Sequence, residues 1–298
     1  MIMSAVVTNY LREHLPYSTG VLIVVITVVV LRSILMKFVG IPTLKKDFLS
    51  HTEDVDPTVS NGEDAGDSIH NDHGGDDDAP RVAFNPQCYP KSQMIERARR
   101  FYENMNARRS VRSLSSEPVP LDVIQNIIRT AGTSPSGAHT EPWTFVVVSN
   151  KGIKAQIRQI VEAEEEINYR KRMGNKWVED LKKLKVNWEK PYLDVAPYLI
   201  IVLRQAYGLG ENGERKTHYY NEISVSIAVG LLLAAVQNAG LVTVTTTPMN
   251  AGPALRTLLG RPVNEKVVVL LPVGYPAKDA TVPDLKRKEL DKIMVLLD

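Results

Sequence analysis

Residues 133–148 read TSPSGAHTEPWTFVVV, and this stretch predicts a polar turn that leads directly into a buried strand. Pro135 and Gly137 favour a tight turn whose backbone N–H groups can face a ligand. The four residues Phe145–Val148 are all apolar and are typical of a strand inside the core. A turn in this position is well placed to carry a binding site. Taken alone, the same residues also fit an ordinary surface loop.

On both sides of this stretch, apolar spacing predicts helices that are separated by short buried strands. Helices are predicted at 91–107, 121–131, 153–188 with a break near Gly174, 218–238 and 253–259, and further strands at 198–203, 241–247 and 267–273. This pattern predicts an α+β fold with helices packed on a small sheet. The helix at 218–238 is nearly apolar through Ile223–Val236 and contains several small residues. We therefore expect it to be buried centrally or at a subunit interface.

The N-terminal region contains an apolar run, Leu15–Leu31, of seventeen uncharged residues. This is close to the length that crosses a hydrocarbon core of about 30 Å. A cleaved signal peptide is the alternative, but the preceding residues are not clearly basic and no small-residue cleavage site follows. Four basic residues follow the run and one precedes it: Arg32, Lys37, Lys45 and Lys46, against Arg12. We predict an N-terminal segment 1–14 and a single membrane anchor 15–36 in a plasma or vesicle membrane, with the rest cytoplasmic.

The charge is strongly segregated behind this run. Residues 1–50 carry +3, residues 51–80 carry ten acidic and no basic side chains, and the net charge of +2 leaves about +9 for 81–298. We predict an acidic flexible linker over 37–89 and a folded domain over 90–298. His51, His70 and His73 are more consistent with a solvated linker than with a metal site, and we expect no bound metal.

The basic folded domain suggests an anionic ligand or surface. Nucleic acid is not favoured, because no RNA-recognition, zinc-finger or helix-turn-helix pattern is present. A phosphate-bearing cofactor fits better. Cys88 is the only cysteine, which excludes an intrachain disulfide and weakly favours a reducing compartment.

The residues Arg108-Arg109-Ser110-Val111-Arg112 form the most concentrated basic cluster of the domain. Guanidinium groups and a hydroxyl can bind a phosphate through several hydrogen bonds. A solvated basic turn explains the cluster equally well on charge alone. The chain has no G-x-S-x-G nucleophile elbow and no Walker loop, and its G-x-G-x-x-G match at 208–213 does not lead directly into a predicted helix, as a Rossmann site requires. A serine hydrolase of that kind, a Rossmann dinucleotide site and a P-loop are therefore not indicated.

Six segments in order resemble the iodotyrosine deiodinases, a branch of the FMN-dependent nitroreductase superfamily. They are RRSVR at 108–112, TSPSGAHTEPWTFVVV at 133–148, EEEINYRKRMG at 164–174, HYYNEISVSIA at 218–228, GLVTVTTTP at 240–248 and LPVGYP…ATVPDLKRK at 271–288. The resemblance covers essentially all of 90–298. It implies a nitroreductase-like fold with a central mixed sheet, and an interlocked homodimer with two FMN sites built from both chains.

The resemblance also implies which residues bind FMN. The cofactor-binding set is Arg108, Arg109, Ser110, Val111, Arg112, Pro135, Ser136, Gly137, Thr245, Thr246, Thr247 and Arg287. The arginines and Ser110 would hold the phosphate and the ring edge, and the turn at 135–137 would pass along the isoalloxazine. One hydroxyl of the threonine run would hydrogen-bond flavin N5, and Thr245 is our choice for this catalytic position.

Substrate recognition follows partly from chemistry and partly from the resemblance. A tyrosine-like zwitterion needs one cation and one anion placed close together. Glu165 and Tyr169 are four residues apart on one helix face, and Lys190 follows a second helical stretch. Alone, Glu164–Glu166 would fit a solvated face with Glu166 paired to Arg170. In the family these positions grip the amino-acid end of the substrate as a lid, and the backbone N–H of Ala138 faces the phenolate.

The resemblance predicts reductive dehalogenation of mono- and diiodotyrosine to tyrosine and halide, with electrons from NADPH, directly or through a reductase. His139 either donates a proton in this reaction or only braces the turn. One alternative is a general FMN nitroreductase or ene-reductase, which needs no Glu/Tyr/Lys lid. The other is a membrane-tethered binding or scaffold protein with a relict flavin fold.

Overall fold

The computed structural model describes residues 81–297. The predicted segment 1–14, the anchor 15–36 and most of the linker lie outside the described residues. Seven helices are described: α1 Lys91–Ala107, α2 Leu121–Gly132, α3 Lys151–Ile167, α4 Asn175–Lys183, α5 Tyr192–Val195, α6 Asn221–Asn238 and α7 Gly252–Leu258. Six strands are described: β1 Trp143–Val148, β2 Tyr198–Gln205, β3 Tyr207–Leu209, β4 Arg215–Thr217, β5 Val242–Thr243 and β6 Glu265–Gly274.

The main sheet has four strands in the order β1-β2-β6-β5, and all three ladders are antiparallel. A parallel bridge between Ser110 and Thr243 adds the parallel pairing of a mixed sheet. β3 and β4 form a separate hairpin. The sheet therefore places the residues after α1 directly beside β5.

The core lies on both faces of the central strand β2. Leu199, Ile201 and Leu203 pack with α3, α5 and α7, whereas Ile200 and Val202 pack with α2 and α6. All five side chains have no exposed surface. This two-sided burial explains why β2 is a continuous apolar run instead of an alternating one. Each such side chain contributes roughly 1.5–3 kcal/mol of transfer free energy.

Local sequence features explain most element boundaries. The side chain of Asn150 accepts a hydrogen bond from the N–H of Ile153 at 3.0 Å and caps α3. The predicted helix 153–188 is broken into α3, a π-helical turn Asn168–Arg172 and α4. Gly174 precedes α4, as predicted. The prediction was wrong beyond Lys183, where the chain leaves helical geometry and Lys185 takes a φ of +54°.

Two other predicted elements were too long. The strand predicted at 241–247 is limited to Val242–Thr243, with one further bridge between Thr246 and Leu270. The same register would pair Val244 with Pro272, which has no N–H to donate, so the ladder is interrupted there. The helix predicted from His218 begins only at Asn221, because Tyr220 has a left-handed φ of +51°.

Helix α6 is buried on one side. Its inward residues include Val225, Leu232 and Val236, whereas Ile223 and Ile227 are 61% and 41% exposed. Among the described residues, α6 alone has the length and apolar character of a membrane-crossing helix, a property that core helices share. Its inner face is buried centrally, one of the two predicted alternatives, and its outer face is apolar and exposed.

Candidate active site

A cavity of about 240 Å³ lies between the basic cluster and the C-terminal segment. Its walls are Arg108, Arg109, Ser110, Arg112, Leu184, Pro283, Leu285, Lys286 and Arg287. Five of these residues are cationic, and none of the five forms an ion pair with a carboxylate of the described residues. Such a concentration of unneutralised positive charge suits a phosphate group.

Two of the arginines hold the cavity together. Arg287 donates hydrogen bonds to the backbone oxygens of Asn106 at 3.0 Å and Arg108 at 2.8 Å. Arg109 donates to the backbone oxygen of Pro283. These contacts join the C-terminal segment to the end of α1. They leave other guanidinium N–H groups of both residues for a ligand.

The basic cluster is attached to the sheet next to the threonine run. Ser110 bridges to Thr243, and the N–H of Val111 donates to the backbone oxygen of Thr243 at 3.0 Å. Val111 is buried, so its side chain anchors the cluster in the core, whereas Ser110 is exposed. The hydroxyl of Thr243 is buried without a hydrogen-bond partner among the described residues.

The three predicted threonines differ in environment. Thr245 and Thr247 are exposed, whereas Thr246 is buried and its hydroxyl lies 3.5 Å from the hydroxyl of Tyr192. The pairing of β5 with β6 is interrupted at Val244, opposite Pro272, and Thr245 is the next residue. Thr245 and Thr247 are thus the members of the run that a ligand can reach.

The turn at 135–139 has the strained geometry of a ligand loop. Ala138 and His139 have φ values of +49° and +54°, which are uncommon for residues with a Cβ. Within the described residues, the backbone hydrogen bonds that close this turn are donated by His139 and Thr140 instead of Ala138. A Cβ at Gly137 would lie 2.6 Å from the backbone oxygen of Tyr219, so only glycine fits there.

The remaining residues of the turn support it. The side chain of Ser136 accepts a hydrogen bond from the N–H of Glu141 at 3.0 Å, and Pro135 is exposed. The ring of His139 is largely exposed and lies 3.9 Å from the Glu141 carboxylate. The hydrogen bonds and ion pairs of the described residues do not connect this turn to the basic cluster or to Lys190. The turn instead contacts the start of α6 through Tyr219.

Glu165, Tyr169 and Lys190 lie together in the structure. The Lys190 ammonium lies 3.6 Å from the Glu165 carboxylate and 5.7 Å from the centre of the Tyr169 ring. Lys190 also donates from Nζ to the backbone oxygen of Asn187. Trp177 and Trp188 pack edge-on against Tyr169, with ring centres at 4.9 and 5.9 Å. The neighbouring Glu166 pairs with Arg170 at 2.7 Å on the exposed side, as expected.

Burial shifts the pKa of Tyr169 and the pKa of Lys190. Burial, reinforced by Glu165 and Tyr192, raises the pKa of Tyr169 to about 12, and Arg112 opposes this change. Burial also lowers the pKa of Lys190, against the attraction of Glu165. The phenol hydroxyl of Tyr169 is buried without a hydrogen-bond partner among the described residues. Arg112, a residue of the basic cavity, also lowers the pKa of Lys190.

The π-helical turn is part of the same region. Asn168 is buried and donates to Glu165 at 3.3 Å, and its side-chain oxygen accepts from Arg172 at 3.1 Å and Asn250 at 3.3 Å. Asn250 lies just beyond the threonine run. Turns of this type often occur at functional sites, and this one connects the end of α3, which carries Glu165, to the loop after β5.

Sequence reasoning missed several residues of the site. Tyr192, Lys286, Leu184 and Asn168 were not singled out, although Tyr192 follows Lys190 by two residues and Lys286 precedes Arg287. The hairpin β3–β4 was also missed. Its signal was the pair Asn212-Gly213, since Asn-Gly favours hairpin turns and Gly213 has a φ of +78°. Within the described residues, no cluster of His, Cys, Asp or Glu is suited to a metal ion.

Comparison with known proteins gives consistent matches. The Nitroreductase family matches residues 105–275. The iodotyrosine deiodinase of Danio rerio is 67% identical over 222 residues, which are 74% of this chain and 75% of that protein. Iodotyrosine deiodinase 1 of Homo sapiens is 64% identical over 220 residues, 74% of this chain and 76% of that protein. A crystal structure of oxidised iodotyrosine deiodinase bound to FMN and 3-iodo-L-tyrosine superimposes with a TM-score of 0.57 and 31% identity, covering 66% of this chain and 98% of the other.

Proposed function

Because the chain belongs to the nitroreductase family, and within it to the iodotyrosine deiodinases, we propose that it binds FMN and reductively removes iodide from mono- and diiodotyrosine. The products are tyrosine and iodide. The observation that carries this proposal is the buried pair of Glu165 and Lys190 beside Tyr169, because an amino-acid zwitterion offers one partner to each charge.

The residues of the cavity fit FMN. Arg108, Arg112 and Lys286 would neutralise the phosphate, while Arg109 and Arg287 hold the C-terminal segment in place and add donors. Ser110 would add a hydroxyl, and the buried hydroxyl of Thr243, which has no hydrogen-bond partner among the described residues, belongs to the residue paired with Ser110. The exposed Thr245 and Thr247 would face the ring, with Thr245 donating to N5.

When bound, reduced FMN supplies the two electrons that, with one proton, replace the carbon–iodine bond by a carbon–hydrogen bond and release iodide. The chain's own residues position the substrate. Lys190 binds its carboxylate, Glu165 its ammonium, and the Tyr169 hydroxyl gains a partner that it lacks. The N–H of Ala138 stabilises the phenolate.

The site requires two copies of the chain in this proposal. The turn at 135–138 lies against the start of α6, whereas the basic cavity lies at the end of α1. A homodimer that packs through the exposed apolar face of α6 would bring the turn of one protomer to the cavity of its partner. The exposed Ile223 and Ile227, with Ser226 and Gly230 between and beside them, support this arrangement.

The remaining parts of the proposal rest on sequence alone. Electrons come from NADPH or an NADPH-dependent reductase, since the G-x-G-x-x-G match at 208–213 lies in the β3–β4 hairpin instead of between a strand and a helix. The run at 15–36 anchors the protein in a plasma or vesicle membrane, and the positive charges after it keep the flavin domain in the cytoplasm. The acidic segment serves as a linker.

Substrate binding separates this function from a general nitroreductase or ene-reductase of the same fold. The full chain, loaded with FMN, should show quenching of flavin fluorescence by 3-iodotyrosine, and Glu165→Gln should weaken that binding about tenfold, a loss of 1.4 kcal/mol. Glu166→Gln, which alters an exposed neighbour on the same helix, is the matched control. An absence of quenching, together with rapid nitroarene reduction, would favour the general reductase.

A further inference from the structure

Lys190 is held at two atoms by two glutamates of α3. Its ammonium lies 3.6 Å from Oε2 of Glu165, and its backbone N–H donates to Oε1 of Glu162 at 2.5 Å. Glu162 and Glu165 are three residues apart, so they occupy neighbouring positions on the helix surface. The backbone and the side chain of Lys190 are therefore fixed to the same helix.

Glu162 is itself held in place. Arg158 donates from Nε to Oε1 of Glu162 at 2.8 Å and from Nη1 to Oδ2 of Asp194 at 2.7 Å. One turn earlier, the buried Lys154 donates to the backbone oxygens of Asp194 at 3.2 Å and Ala196 at 2.6 Å. Residues 154, 158 and 162 thus form a row at four-residue spacing that holds the segment 190–196.

This segment carries two groups of the site. Lys190 would bind the substrate carboxylate, and the hydroxyl of Tyr192 lies 3.5 Å from that of Thr246 in the threonine run. Loss of the contact at Glu162 would free the N-terminal end of the segment, where Lys190 lies. The contacts of Lys154 and Arg158 would still hold its other end.

We propose that Glu162 is a positioning residue that fixes the backbone of Lys190 and thereby sets the affinity of the site for the carboxylate of halotyrosine. This inference rests on the proposed function. In this role Glu162 acts through the backbone of Lys190.

Two substitutions of similar length separate the hydrogen bond from other effects. Glu162→Gln keeps an oxygen that accepts from the Lys190 N–H, whereas Glu162→Met fills similar space without an acceptor. In the full chain loaded with FMN, Glu162→Met should raise the Kd of 3-iodotyrosine about tenfold, which corresponds to 1.4 kcal/mol. Glu162→Gln should restore most of this affinity, and Glu166→Met should leave it unchanged.

Steady-state kinetics give a second readout. Glu162→Met should raise KM for 3-iodotyrosine with little change in kcat, because the lost interaction is the same in the ground and transition states. FMN affinity should not change. Turnover of 2-iodophenol, which has no carboxylate or ammonium, should be equal in all variants. A general loss of structure would instead lower FMN affinity and iodophenol turnover together.

Each outcome decides a different claim. If the wild-type protein does not bind 3-iodotyrosine, the proposed function is wrong. If it binds, the affinities of the two variants decide the role of Glu162. Equal Kd values for Glu162→Met and Glu162→Gln, whether unchanged or raised, would show that the proposed role is wrong. If Glu162→Met does not fold, Arg158→Gln is the second variant, because it keeps the Glu162 carboxylate but removes the guanidinium that holds it. It should raise the Kd of 3-iodotyrosine by a smaller factor than tenfold. An unchanged Kd would overturn the inference.

Discussion

Lys190 is 4% exposed, and removing its ammonium from water costs free energy that the contact with Glu165 at 3.6 Å only partly returns. A second anion beside the Lys190 ammonium would offset more of this cost. The carboxylate of an amino acid is such an anion, and Glu165 remains to meet the ammonium of the same ligand. At the scale of residues, the proposed selectivity for halotyrosine therefore depends on a charge pair that a zwitterion completes.

The pH dependence of binding tests the charge on Lys190. Burial holds the pKa of Lys190 below its ordinary value of 10.5, so the ammonium is lost as pH rises through that lowered pKa. We expect the Kd of 3-iodotyrosine to rise on the alkaline side before pH 10.5 is reached. In Lys190→Arg the guanidinium keeps its proton, so this alkaline rise in Kd should be smaller. The part that remains is caused by deprotonation of the ligand's own ammonium. Identical alkaline profiles in the two proteins would contradict the assignment.

The choice of Thr245 among three threonines has its own test. The hydroxyl of Thr246 lies 3.5 Å from the hydroxyl of Tyr192, whereas Thr245 and Thr247 are exposed. If Thr245 donates to flavin N5, Thr245→Ala should lower kcat for 3-iodotyrosine roughly tenfold, equivalent to about 1.4 kcal/mol of barrier, with KM little changed. Thr247→Ala should have a smaller effect. The reverse order would transfer the role to Thr247.

At the scale of elements, the turn between α2 and β1 is the part most sensitive to side-chain size. Gly137→Ala places a Cβ 2.6 Å from the backbone oxygen of Tyr219, and neither backbone can move freely. We expect a loss of about 1–3 kcal/mol of stability and weaker FMN binding, measured by chemical denaturation and flavin fluorescence. Gly132→Ala is the matched control, because nothing lies within 4 Å of its Cβ. It should be neutral or stabilising, and equal effects of the two substitutions would refute this account of the turn.

The helices and strands also show what the sequence could predict. Residue type and apolar spacing placed α1, α2, β2, β6 and α7 to within a few residues. α2 has a periodic buried face, whereas β2 is a continuous apolar run. The predicted boundaries were wrong where a single residue imposed a local backbone geometry. The missing N–H of Pro272 shortened β5, and the left-handed Tyr220 delayed the start of α6. Such effects depend on register and on tertiary contacts, which periodicity does not contain.

The site was less predictable from physical chemistry alone. The arginine cluster indicated a phosphate, but its contact with Arg287, almost 180 residues later in the chain, followed only from the family resemblance. Lys286, which lines the same cavity, was missed. That resemblance is now confirmed. Buried partners such as Tyr192 and Glu162 carry no distinctive motif. They are recognised only when the fold brings them to Thr246 and Lys190.

At the scale of the whole molecule, FMN binding should depend on dimerisation. Ile227 is 41% exposed on the outer face of α6, and a charge there would oppose burial against a second copy. We expect Ile227→Glu to shift the protein to monomers in light-scattering measurements and to release FMN. Val263→Glu, at an equally apolar but separate exposed position that is 67% exposed, should change neither property. Monomers that retain FMN would contradict a site shared between protomers.

Product analysis of a single anaerobic turnover tests the central claim most directly. The full chain with bound FMN is reduced by dithionite, excess reductant is removed, and 3-iodotyrosine is added. We expect one tyrosine and one iodide for each flavin that is reoxidised, whereas reduced free FMN should produce neither at a comparable rate. Intact iodotyrosine beside a flavin that stays reduced would contradict that claim.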